Sequence, residues 1–123
     1  AGRVGTQWTY EGELVSQRGH VAHSELRASA WLLQVQRLFP AARWTPTLLA
    51  EANYASGDAT RADGIVNTYD QLYPTNHGIY GVADRVGRRN TRNGRVGLAL
   101  HPRQALTMKV EGNTFWLASR HDA

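Results

Sequence analysis

Apolar and polar side chains alternate along most of this chain, in runs of about ten residues separated by clusters of turn formers. In Thr6 to Val15, Trp8, Tyr10, Gly12 and Leu14 take even positions, and Thr9, Glu11 and Glu13 take odd ones. A period of two sends successive side chains to opposite faces of a strand. Gln17-Arg18-Gly19-His20 reads as the turn that ends this run. Trp44 to Ala55 repeats the pattern, with Leu48, Ala50, Ala52 and Tyr54 against Thr47, Glu51 and Asn53. Pro46 is tolerated there only near a strand start or at an edge. From Arg92 to Leu100, Val96, Leu98 and Leu100 oppose Arg95, Gly97 and Ala99. His101-Pro102-Arg103-Gln104 reads as a tight turn. From Ala105 to Ala118, Leu106, Met108, Val110 and Trp116 oppose Thr107, Lys109, Glu111 and Asn113.

Ser24 to Phe39 satisfies two patterns. Ala28, Trp31, Leu32, Val35 and Phe39 recur at helical spacing, while Ala28, Ala30 and Leu32 alternate. An isolated helix fits poorly among hairpins, so the neighbours favour a strand whose facing stays open. Pro40-Ala41-Ala42 makes the next turn. Residues 56–91 form a long connection rich in turn formers, in which Tyr69, Leu72, Tyr73, Ile79 and Tyr80 supply packing material. Loops of that length are usually functional or disordered, and the aromatics argue for an ordered one. The sequence thus predicts an all-β, antiparallel, up-and-down arrangement, with strands near 6–15, 24–38, 44–55, 92–100 and 105–118.

Composition removes several classes. The chain has 123 residues and a net charge of +4, and all its basic residues but Lys109 are arginines. With no cysteine, disulfide scaffolds, thiolate zinc sites and thiol catalysis are excluded. No apolar run approaches the ~20 residues a membrane helix needs, which leaves a membrane barrel open because barrel strands are short and half polar. Ala1 opens into Gly-Arg-Val-Gly without a charged segment followed by an apolar one, so no signal peptide is expected within these residues.

The mid-strand charges Glu11, Glu13, Glu51, Arg95, Lys109 and Glu111 all oppose their strand's apolar set. A soluble sheet gives this pattern when its apolar face packs inward. An outer-membrane barrel gives it when the apolar face meets lipid and the charges line a wet lumen. Three features favour the barrel. The apolar face is rich in Ala and Gly, where a packed core favours larger side chains. Trp8, Tyr10, Trp44, Tyr54 and Trp116 lie near strand ends, as interfacial aromatics do. Short turns accompany one long loop. The competing reading is a soluble all-β carbohydrate-binding module, which needs Trp8, Tyr10, Leu48, Val96 and Val110 packed in one core.

From Tyr54 the chain reads YASGD and then TYDQLYPTNHGIYGVADRVGRRN, with FWLA following at Phe115 to Ala118 and then Asp122-Ala123. This series resembles the alginate export family of Gram-negative outer-membrane β-barrels, densely from about Arg43 to Ala123 and more thinly before that. DQLYPTNH followed downstream by FWLA is the specific part; Gly78-Ile79 departs from the larger or charged residue expected after His77. The resemblance implies a partial transmembrane barrel domain over residues 1–123, since about five strands cannot close a barrel. It places the long loop outside the cell and the protein in the cell outer membrane, among lipid and lipopolysaccharide. It implies passive, porin-like export of an anionic polysaccharide such as a polyuronate, or of small anions, with periplasmic export partners and no cofactor.

Arg85, Arg88, Arg89, Arg92 and Arg95 cluster on the return from the loop. Guanidinium groups match carboxylates bidentately and keep their charge, so the cluster is a candidate electropositive mouth. Arg95 and Lys109 are expected to face the lumen, with Glu51 and Glu111 either neutralising them or locking the wall. Asp70, Tyr73 and His77 are candidate loop contacts, with Tyr69 beside them. Asp58, Asp63 and Asp70 offer carboxylates for calcium, though not at EF-hand spacing. His20, His23, His77, His101 and His121 are scattered without a catalytic spacing, so no catalytic or metal residue is assigned and an enzyme is not expected. No recognition helix or RNP-like stripe points to nucleic acid.

Overall fold

Alternation of this kind produces a meander when each strand turns back beside its predecessor. The computed structural model describes residues 1–60, 63–71 and 87–122, and among them every regular element is a strand. In chain order they are β1 (Gly2–Val4), β2 (Trp8–Val21), β3 (Ser24–Leu38), β4 (Thr47–Ala55), β5 (Ile65–Val66), β6 (Thr91–Arg103) and β7 (Leu106–Leu117). They join one sheet in the order β1-β2-β3-β4-β6-β7, so the order ends on β1 at one edge and β7 at the other. β1 pairs antiparallel with β2, Gly2 opposite Tyr10. β5 adds a short parallel pairing to β3, Glu25 opposite Ile65. The nine residues of β4 match the ~9–11 that a tilted strand needs to cross a bilayer.

The boundaries differ from the sequence reading in instructive ways. Gln17 to His20 is strand, and the turn falls at Ala22–His23, where Ala22 takes φ 53°. His101 to Arg103 is likewise strand, and Gln104–Ala105 makes that turn. β4 starts at Thr47 rather than Trp44, because Trp44 (φ 67°) and Thr45 (φ 40°) take left-handed backbone in the turn before Pro46. β1 and β5 were not expected; each is very short, with little room for alternation to show.

Two compact units share the long strands. The first comprises Ala1–Glu13, Leu32–Ala52 and Gly94–Thr114. Its apolar side chains are exposed, and the Glu51–Arg95 pair on the opposite face is covered, while Glu11, Glu13, Lys109 and Glu111 on that face are exposed. Leu48, Leu98 and Met108 stand in the open, Val96 is 66% exposed and Val110 74%. On the other face Glu51 is only 6% exposed. Trp8, Tyr10, Leu48, Val96 and Val110, which a soluble module needs in one core, are all exposed instead.

The second unit comprises Leu14–Trp31, Asn53–Asn93 and Phe115–Ala123. Its apolar cluster is small: Ala28, Ala30, Ala55 and Tyr69, with Val15 and Leu26 packed against it. Ala28 and Ala30 therefore fix the facing of β3, and Trp31 on the opposite side is exposed. Trp31 stacks on Tyr54, with ring centroids 6.1 Å apart and planes at 21°.

Candidate functional site

The covered face of the first unit is assembled from alternate positions of three strands. Arg95 on β6 donates through Nη2 to Glu51 Oε2 on β4, and to Gln34 Oε1 on β3 at 3.4 Å. The Glu51 side chain is almost wholly covered and that of Arg95 nearly so. Such a pair persists only because each charge meets its opposite and further donors or acceptors. On β7, Lys109 Nζ lies 3.5 Å from Glu111 Oε1, and the lysine side chain is largely exposed. Gly97 makes room for this: a Cβ there would lie 3.2 Å from Glu111 Cγ. Gln36, Thr47, Lys109 and Glu111 line a small recess of about 90 Å³ beside it.

In the second unit the covered strand positions next to the alanines carry neutral amides, while the buried charges, Asp58 and Arg88, belong to the loop. Asn53 and Asn93 are buried, and Asn53 Nδ2 donates to Asn93 Oδ1 at 3.4 Å. The loop after β4 is tied back by reciprocal bonds. Ser56 and Ser29 extend the β3–β4 ladder, and the Tyr69 N–H donates to the Ser56 carbonyl at 2.9 Å. Gln17 clamps the backbone of Asp70, donating from Nε2 to its carbonyl at 2.5 Å and accepting its N–H at 3.0 Å. Tyr69 drops its ring against the alanines of the cluster, and the Arg88 guanidinium lies 5.8 Å from the ring centroid. Asn90, at φ 47°, donates to the Ser119 carbonyl and accepts the Ser119 N–H at 2.7 Å.

The expected arginine mouth does not form as one cluster among the described residues. Arg95 sits against Glu51 on the covered face. Arg92, expected to line a pore, is on the opposite face, with its guanidinium 5.9 Å from the centroid of Tyr54. The reason is parity: it lies three positions from Arg95, an odd offset, so the two point to opposite sides. Arg88 is buried against Tyr69 rather than presented at an opening. Arg85, Tyr73 and His77 lie outside the described residues. Asp58 and Asp63 serve as turn caps, accepting the Thr60 N–H at 3.0 Å and the Ile65 N–H at 2.9 Å. Among the described residues no three His, Asp or Glu side chains converge in a metal-like group. Gln17, Gln34 and Asn90 were missed by sequence reasoning, because a neutral amide gains meaning only from its cross-strand partner.

A meander of strands with the Glu51–Arg95 pair covered on one face and aliphatic side chains exposed on the other is compatible with a segment of an incomplete β-barrel. The family model described as alginate export matches residues 1–123, and the chain belongs to that family. No curated protein and no solved structure matches it.

Proposed function

We propose that this chain forms part of the wall of an outer-membrane β-barrel through which an anionic polysaccharide of the alginate class leaves the cell passively. One observation carries the reading: Glu51 and Asn53 are covered while Leu48, Val96 and Val110 are exposed, an inversion that suits lipid outside and water within. Family membership supplies the substrate class. Transport of this kind needs no chemical step; the protein contributes shape, charge and a hydrated path.

Glu11, Glu13, Glu51 and Glu111 are balanced on the face opposite the apolar set by Arg3, Arg95, Arg103 and Lys109, and Arg95 is held by Glu51. This stretch of wall therefore keeps a polyanion hydrated and moving rather than binding it tightly. Lys109, with its ammonium most accessible, is the side chain on which a uronate carboxylate can dock. In planar bilayers the full-length protein is expected to conduct ions and to be blocked by oligouronates. Lys109→Glu is expected to weaken that block several-fold, in line with the worth of one exposed charge pair. Conductance insensitive to oligouronates would overturn the substrate assignment. An unchanged block in the variant would remove Lys109 from the path.

A further inference from the structure

The lipid-side face of the β2–β3 hairpin carries a feature that export does not explain. The two-residue turn at Ala22–His23 puts Val21 opposite Ser24. The same register places Arg18 opposite Arg27 and Ser16 opposite Ser29. All four share the face of Trp31. Like charges directly across an antiparallel pair repel each other; the Glu25 carboxylate on the same face offsets one of the two positive charges and leaves the other for a further anion. Ser16, Arg18, Glu25, Arg27 and Ser29 line a polar depression of about 420 Å³. Arg18 forms no ion pair among the described residues, and Arg27 is only partly engaged. Glu25 accepts from its Nε at 2.8 Å and its Nη2 at 2.9 Å, which leaves the Nη1 donors for another partner. Glu25 thereby fixes the plane of the fork.

The position along the strand indicates what the partner is. Trp31, stacked on Tyr54, is the kind of amphipathic ring that settles at a bilayer interface. Arg27 lies four residues nearer the turn on the same face, ~13 Å along the strand. A guanidinium just beyond an aromatic belt, on the lipid side, stands at headgroup level. We propose that Arg18 and Arg27, with Ser16 and Ser29, bind a phosphate of lipopolysaccharide in the outer leaflet. Two guanidinium forks give bidentate contacts to phosphate oxygens, and the hydroxyls add donors. The inference rests on the barrel reading above.

The test uses the full-length protein extracted from outer membranes in mild detergent, with retained lipopolysaccharide counted by native mass spectrometry. Heat-shifted gel mobility of the same samples reports barrel formation independently. Wild type is expected to retain lipopolysaccharide, and Arg18→Gln/Arg27→Gln to lose at least about tenfold of it with the heat shift intact. Added phosphatidylglycerol or inorganic phosphate is expected not to displace it. Ser16→Asp, which places a negative charge in the depression, is expected to have the same effect as the double variant. Equal retention by wild type and both variants, with the barrel formed, would overturn the site alone. Displacement by phosphatidylglycerol or by oligouronate would overturn its assignment to lipopolysaccharide. A wild-type protein that shows no heat shift and stays in the aqueous fraction would overturn the barrel reading and this inference with it.

Discussion

Glu51→Ala is expected to weaken the fold more than any other single change on the polar face. The substitution leaves the Arg95 guanidinium covered, with Gln34 as its remaining neutral acceptor among the contacts described above. Removing one member of a covered ion pair typically costs ~3–5 kcal/mol, most of it the cost of stranding the other charge. Urea unfolding of the full-length protein in vesicles, followed by tryptophan emission, gives the number. The double variant Glu51→Ala/Arg95→Ala is expected to lose less than the sum of the two single changes, because it strands nothing. Additive losses, or a single-variant loss below about 0.5 kcal/mol, would show that the pair is solvated and contributes as little as an exposed one.

Tyr69→Ala is expected to free the first part of the long loop. The ring is 5% exposed, seated on Ala28, Ala30 and Ala55 and covered by Arg88. Those alanines leave a depression shaped for one large side chain, and their own methyl groups cannot refill it. Truncating a buried aromatic costs ~3–5 kcal/mol. Here the loss is local, because the strands beneath are held by their own ladders. Amide exchange at Asp70, whose N–H is bonded to Gln17, is therefore expected to accelerate by two orders of magnitude or more. Tyr69→Phe keeps the ring and the cation–π contact and is expected to exchange like wild type. Unchanged protection at Asp70 in Tyr69→Ala would mean that Gln17 alone holds the loop.

The faces of the strands were legible in the sequence because period two is a local property: Leu48 and Glu51, or Val96 and Arg95, could be assigned to opposite sides before any contact was known. That same rule, applied to Arg92, separates it from Arg95, so the expected arginine mouth could have been divided from the sequence alone. Clustering along the chain was mistaken for clustering in space. The β2–β3 turn was harder to place. Gly19 looks like a turn former, yet it stands in a strand with nothing within 4 Å of where its Cβ would be, and the turn rests on Ala22 instead. The facing of β3 was not legible, since either side offers apolar residues; burial of Ala28 and Ala30 under Tyr69 decides it. That contact joins residues some forty positions apart, and no local pattern encodes it.

Solvent exposure on alternate positions of β6 tests the inverted polarity most directly. Single cysteines placed at 94 to 99 of the full-length protein, on a cysteine-free background and reconstituted in liposomes, can be read by a lipid-attached quencher of a fluorescent label and by a water-soluble maleimide. Quenching by lipid at Val96 and Leu98, with aqueous labelling at Arg95, Gly97 and Ala99, is the expected result. Val96 and Leu98 shielded from lipid, or no alternation along the strand, would contradict it.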